Sequence, residues 1–136
     1  MSLEQPEVAG SRILVAEDEF LVYLALEEEL RRNGFAVAGP YSSLCATQEA
    51  LALDHFDLAL LDINMGGEMI WPVADELTSR NIPFLFLTGY SAETVPGRFR
   101  DTPRLGKPYE PAVLLKEIRS LVAERGLSDG QANPVA

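Results

Sequence analysis

The stretch Asp57-Leu-Ala-Leu-Leu-Asp62 limits the fold more than any other part of the chain. It is apolar without alternation, so a strand built from it has no face to give to water. It is also too short for a typical helix. Such a strand belongs in the middle of a parallel sheet covered on both faces. Parallel neighbours need crossover connections, so the rest of the chain should alternate strands with amphipathic helices. It does. Strands are predicted at Arg12–Ala16, Phe35–Pro40, Ile82–Leu87 and, weakly, Arg104–Gly106. A helix starting near Asp18 turns Val22, Tyr23, Leu26 and Leu30 inward and stops at Gly34. A second, capped by Ser42 or Ser43, buries Leu44, Thr47 and Leu51. A Met65-Gly66-Gly67 turn leads to a third with Ile70, Val73 and Leu77 inside, and the last uses Leu114, Ile118, Leu121 and Val122. Pro96, Gly97 and Pro103 interrupt residues 91–103, predicting a short or mobile fourth helix there.

A chain of 136 residues, 47% of them apolar, builds one ordinary core, so one domain is expected over residues 12–124. Residues 1–11 read as a flexible N-terminus and residues 125–136, from about Gly126, as a disordered tail. No output module is expected. The formal net charge of −10, with 11 basic residues spread along the chain, argues against a role on nucleic acid. The first ten residues lack the basic and apolar regions of a signal peptide, and no apolar run is long enough to span a bilayer. The single cysteine, Cys45, forms no internal disulfide, so a cytoplasmic protein is expected.

In an open parallel sheet, ligands bind beyond the carboxyl ends of the strands, where strand order reverses. Glu17 and Asp18 follow the first strand, Asp62 ends the third, Thr88 the fourth, and Lys107 follows the fifth. Carboxylates held about 4 Å apart repel by about 4 kcal/mol per pair at an effective dielectric of about 20, so the cluster calls for a cation beyond Lys107. Oxygen-only donors favour Mg²⁺ over zinc, held by Glu17 or Asp18, by Asp62, by a backbone carbonyl near Asn64 and by water. A carboxylate beside Mg²⁺ and a lysine is equipped for in-line attack on phosphorus, which makes Asp62 the nucleophile. Thr88 and Lys107 are then placed to hold phosphoryl oxygens, an arrangement suited to a switch rather than a turnover enzyme.

The segments LVAEDE, LLDINM, FLTGY and LGKPYEP resemble, in order, the acidic pair, phosphoacceptor, switch threonine and lysine-proline motifs of the response-regulator receiver family. The resemblance covers residues 12–124. It implies a flavodoxin-like (βα)5 fold of strand order 2-1-3-4-5. It also implies Mg²⁺-dependent phosphoryl transfer to Asp62 from a histidine kinase or histidine phosphotransferase, followed by slow self-catalysed dephosphorylation. The Thr-Gly-Tyr sequence is similar to a receiver subgroup with a Phe-Ala-Thr-Gly-Tyr-type motif, with Leu87 in the alanine's place. Arg104 stands where the family usually carries an aromatic switch. Mobility at Gly89 is therefore proposed to replace that switch, with Tyr90 or Tyr109 on the signalling surface. The expected oligomeric state is a monomer or weak dimer.

Plainer readings exist for each residue. Glu17, Asp18 and Glu19 fit an acidic helix start, Asn64 and Thr88 fit turns, and Lys107-Pro108 fits a helix entry. His55 and Cys45 read as structural, and Met69 and Trp71 as either packing or a recognition patch. The rival functions are a degenerate receiver acting as a constitutive binding module and a small Asp-nucleophile phosphatase. The haloacid-dehalogenase type of phosphatase places its nucleophile after the first strand, not the third.

Overall fold

The computed structural model describes residues 11–89 and 95–132, with side chains through Glu124. In chain order the elements are β1 (Arg12–Ala16), α1 (Phe20–Arg32), β2 (Ala36–Tyr41), α2 (Leu44–Leu53), β3 (Leu58–Asp62), a hairpin of β4 (Asn64–Met65) and β5 (Glu68–Met69), α3 (Trp71–Ser79), β6 (Phe84–Thr88), a 3-10 turn (Gly97–Phe99), β7 (Arg104–Gly106) and α4 (Pro111–Ala132). The main sheet is parallel with order β2-β1-β3-β6-β7, which is the 2-1-3-4-5 order of the flavodoxin-like fold. No helix among the described residues is long and apolar enough to cross a membrane.

Every residue of β3 is buried, and the pleat explains why none of them is polar until Asp62. Leu58 and Leu60 point to one side, into a core with Tyr23, Leu26 and Leu30 of α1 and Leu114, Ile118 and Leu121 of α4. Ala59 and Leu61 point to the other, against Ala50 and Leu51 of α2 and Val73, Ala74 and Leu77 of α3. Strand alternation thus feeds two cores from one apolar run.

The helix ends follow local rules. The Ser43 hydroxyl accepts the Ala46 N–H at 3.0 Å and caps α2. At the end of α1, Phe35 N–H donates to Leu30 carbonyl and Gly34 N–H to Arg31 carbonyl, with Leu30 and Phe35 both buried, which is a Schellman stop.

Four details depart from the expectation. The Met65-Gly66-Gly67 turn is a true hairpin, since Gly66 at φ 64° and Gly67 at φ 99° supply the positive angles of a two-residue turn. The strand pattern missed it because its arms are only two residues long. Between β6 and β7, where a short helix was expected, the described part carries only the 3-10 turn, in keeping with Pro96 and Pro103. Residues 90–94 lie outside the described residues. The last helix continues through Gly126 and Gly130 as far as Ala132, because each glycine costs a helix only about 1 kcal/mol relative to alanine and does not by itself end it. Finally, two strands are displaced from their expected bounds: β6 runs Phe84–Thr88 rather than Ile82–Leu87, and β2 is shifted by one residue to Ala36–Tyr41 and bulges against β1 between Leu14 and Ala16.

The bulge centres on Gly39, whose φ is 131° and whose absent Cβ would lie 2.7 Å from the Val15 carbonyl oxygen. Gly39→Ala should therefore lower unfolding stability by about 2–4 kcal/mol in urea titrations. Gly106→Ala, where a Cβ meets nothing within 4 Å, should stay near the parent. Equal effects at the two positions would contradict this account of the bulge.

Candidate functional site

The sheet register brings the predicted residues together. Ala16 pairs with Leu61, so Glu17 and Asp62 leave adjacent strands side by side, and Asp62 pairs with Leu87, one residue before Thr88. Thr88 pairs with Gly106, which delivers Lys107 to the same end. The Lys107 ammonium lies 2.9 Å from Glu17 Oε1, 3.2 Å from Asp62 Oδ2 and 3.8 Å from Glu19 Oε1. The Glu17 side chain is fully buried, and its other oxygen, Oε2, accepts the Glu19 N–H at 3.1 Å. One oxygen each from Glu17, Asp18 and Asp62 lie within 4.8 Å of one another, with Asp18 exposed at the mouth. Asp18, Glu19, Asp62 and Lys107 border a cavity of about 890 Å³ also lined by Asn64, Gly89, Tyr109 and, from α1, Leu21, Val22 and Ala25.

Burial and shortage of positive charge set the electrostatics. Asp62 is pushed up from 3.8 to about 7, first by desolvation; Lys107 pulls it down, but Glu17 and Asp18 push it up. For Lys107, burial opposes the charge, but its hydrogen bond to Glu17 and the charges of Asp62 and Glu17 outweigh burial and hold its pKa above the usual lysine value. Burial and the negative field of Glu17 likewise raise the Tyr109 hydroxyl. One ammonium among three carboxylates leaves an anionic, oxygen-lined pocket. That donor set fits a hard divalent cation such as Mg²⁺, for which Glu17, Asp18 and Asp62 are the available carboxylates.

The remaining sequence candidates divide. Asn64 borders the cavity, yet its Oδ1 accepts the Gly67 N–H at 2.7 Å, the turn role of the plainer reading. The Thr88 hydroxyl donates to the Gly89 carbonyl at 3.0 Å rather than to any group of the acidic cluster. Gly89 lies outside the left-handed region and a Cβ there would meet nothing within 4 Å, so neither strain nor packing requires glycine. Arg104 is exposed on β7. Tyr90 lies outside the described residues. His55 is exposed at the opposite end of β3, 3.5 Å from Asp57, and Cys45 is exposed on α2. Trp71 packs against Phe86 and Phe99.

Sequence reasoning passed over Phe20, Leu21 and Leu24, which are 59%, 79% and 39% exposed on the first two turns of α1, with Leu21 lining the cavity. The signal was present. Phe20-Leu-Val-Tyr-Leu24 is a run of five apolar residues, and a helix cannot turn five consecutive positions to one face.

No family model matches the chain. The solution structure of SdrG from Sphingomonas melonis Fr1 is similar to it at 36% identity and TM-score 0.75, covering 83% of this chain and 97% of SdrG. The chain belongs to the response-regulator receiver family. The BeF3-activated conformation of SdrG is similar at TM-score 0.71 and 35% identity, covering 84% of this receiver and 98% of that chain. Two curated transcriptional regulatory proteins are also similar. PdtaR of Mycobacterium tuberculosis is 30% identical over 116 residues, 82% of this chain. TctD of Salmonella typhimurium is 36% identical over 129 residues, 91% of this chain. The receiver spans 57% and 56% of their lengths, about half of each.

The raised Asp62 gives a pH prediction. A carboxyl whose folded pKa exceeds its unfolded value contributes stability that is present below about pH 4 and is lost as pH rises towards 7. Asparagine carries no such charge. Without divalent cations, Asp62→Asn should therefore be more stable than the parent at pH 8 by about 1–3 kcal/mol, with a smaller difference at pH 5. Paired urea titrations at the two pH values check this. A gain that does not depend on pH would mean that the Asp62 charge is not its source.

Proposed function

We propose that this receiver is a phosphorylation switch in which Asp62 accepts a phosphoryl group from the phosphohistidine of a histidine kinase or histidine phosphotransferase. The observation that carries this reading is the junction of Asp62, Glu17 and Lys107 at the carboxyl edge of the sheet, open to a cavity large enough for a donor group. An Asp62 oxygen attacks phosphorus, the P–N bond to the donor imidazole breaks, and the imidazole leaves with the bonding pair. Lys107 is already within reach of Asp62 and offsets the charge that gathers on the phosphoryl oxygens. Mg²⁺, when bound through Glu17, Asp18, Asp62 and a carbonyl near Asn64, supplies further offset of that charge. The Thr88 hydroxyl, by rotating from the Gly89 carbonyl, becomes a donor to the phosphoryl group.

The domain working in this way is residues 12–124. It acts by changing a protein-binding surface at Gly89, Tyr90, Arg104 and Tyr109 rather than by turning over a substrate. A cytoplasmic setting, action without direct nucleic-acid contact, and a monomer or weak dimer complete the reading.

With acetyl phosphate and Mg²⁺, intact-mass analysis should show a gain of about 80 Da that decays on standing and is absent in Asp62→Asn. If neither acetyl phosphate nor phosphohistidine donors add mass to the parent, the constitutive binding module replaces this reading.

The exposed apolar residues of α1 give the donor a place to dock, since Leu21 among them lines the cavity that its phosphohistidine must enter. Leu21→Glu should slow transfer from a protein donor about tenfold, the equivalent of about 1.4 kcal/mol, and leave labelling by acetyl phosphate unchanged. Equal loss with both donors would place the effect in the pocket instead of the docking surface.

A further inference from the structure

Arg104 is exposed on β7 and cannot serve as an aromatic reporter, but a set of aromatic rings stands elsewhere beside the site. Trp71, the first residue of α3, stacks on Phe99 with centroids 5.7 Å apart and planes 24° from parallel. It meets Phe86 edge-on at 5.6 Å, and Phe86 meets Phe99 edge-on at 5.7 Å. The three rings form a closed triangle.

Each corner of the triangle leads to a different part of the molecule. Phe86 lies two residues before Thr88 on β6, so their side chains share a face of the strand. Trp71 follows Ile70, whose N–H donates to the carbonyl of Ile63, the residue after Asp62, at 2.9 Å. Phe99 belongs to the 3-10 turn and is buried, whereas its neighbours Arg98 and Arg100 are exposed. That turn is clasped to α3 from outside. Arg98 donates to both carboxylate oxygens of Asp75, at 2.8 and 3.0 Å, while its guanidinium lies 4.7 Å from the Phe99 ring centre.

We propose that the Trp71–Phe86–Phe99 triangle, with the Arg98–Asp75 clasp, is the relay that carries the state of Asp62 and Thr88 to the surface segment of residues 95–100. The proposal rests on the reading of Asp62 as phosphoacceptor. Rotation of Thr88 towards a phosphoryl group moves the end of β6, and Phe86 on the same face passes that movement to Phe99. Close-packed rings repack between discrete arrangements rather than yielding gradually, so a small shift at β6 becomes a change in the turn that Phe99 anchors. The exposed clasp sets how firmly that turn is held.

The test follows amide and indole resonances of the full chain by NMR as acetyl phosphate and Mg²⁺ are added, with intact mass read on the same samples. Trp71 is the only tryptophan in the sequence, so its indole N–H gives one assignable signal. In the parent, the Trp71 indole and the Gly97 and Arg98 amides should move to second positions with populations equal to the phosphorylated fraction. Phe99→Leu should gain mass like the parent and lose the Gly97 and Arg98 response. Asp75→Asn, a surface change that keeps the core intact, should shift the unphosphorylated Gly97 and Arg98 resonances towards their phosphorylated positions. Mass gain with the Gly97 and Arg98 amides unmoved in the parent overturns the relay, even if Trp71 responds to the nearby phosphoryl group. Mass gain with an unaltered response in both variants overturns it as well. Failure of the parent to gain mass removes the phosphoacceptor reading, and the relay falls with it.

Discussion

Lys107 stands within 3.2 Å of carboxylates from two strands, Glu17 after β1 and Asp62 at the end of β3, and only one chain path puts it there. The two acids leave adjacent strands in register, while Lys107 arrives from β7, two strands away from β3 across β6. Bringing it to them requires the carboxyl ends of β1, β3, β6 and β7 to lie on one side of the sheet, and hence requires parallel strands with a crossover before each return. The contact also leaves the pocket incomplete. One ammonium cannot neutralise Glu17, Asp18 and Asp62, and the deficit appears in the carboxyl of Asp62, held near 7 by burial and its acidic neighbours. The pocket is poorly balanced until positive charge enters it. A binding or transfer step that brings a cation therefore relieves a cost already present in the fold.

That arrangement was legible because its parts are short and local in sequence. A non-alternating apolar run ending in Asp62 reads as a buried strand, and a buried strand has only its ends free for polar chemistry. The acidic pair and the lysine sit one or two residues past neighbouring strand ends, so a parallel sheet was enough to unite them. Less could be read where the decisive quantity is orientation. Nothing in the letters says that the Thr88 hydroxyl turns to the Gly89 carbonyl, or that the Asn64 side chain closes a turn on Gly67. Residue type places a group near a site, but the rotamer decides whether it takes part, and rotamers depend on contacts distant in the chain.

The missed hairpin and the overrun of the last helix have a different origin. Both concern glycine, which the sequence reading used as punctuation. At Gly66 and Gly67 the positive angles make a turn tighter and more regular than a loop, whereas Gly126 sits inside a helix whose earlier turns are already held by Leu114, Ile118 and Leu121. The same residue type stops one element and is carried through by another. What differs is whether packing has already set the direction of the chain before the glycine is reached.

The proposed relay gives a receiver lacking a ring on its last strand another connection from its site to its surface. Arg104 on β7 is solvent-facing, but the neighbouring β6 carries Phe84 and Phe86 on the face towards α3, where Trp71 and Phe99 meet them. A ring on the edge strand can report only by moving between its own buried and exposed positions. A triangle on an inner strand works through contact, since displacing one ring disturbs the other two. Its reach is also directional. Arg98 and Asp75 fasten the outer corner at a salt bridge about half exposed on both sides, where water weakens the attraction and the clasp is inexpensive to open. Of the inner corners, Phe86 is fully buried and Trp71 is half-buried against the same core. Movement that starts at β6 therefore meets least resistance towards residues 95–100, the part of the described chain where regular helix gives way to a single 3-10 turn.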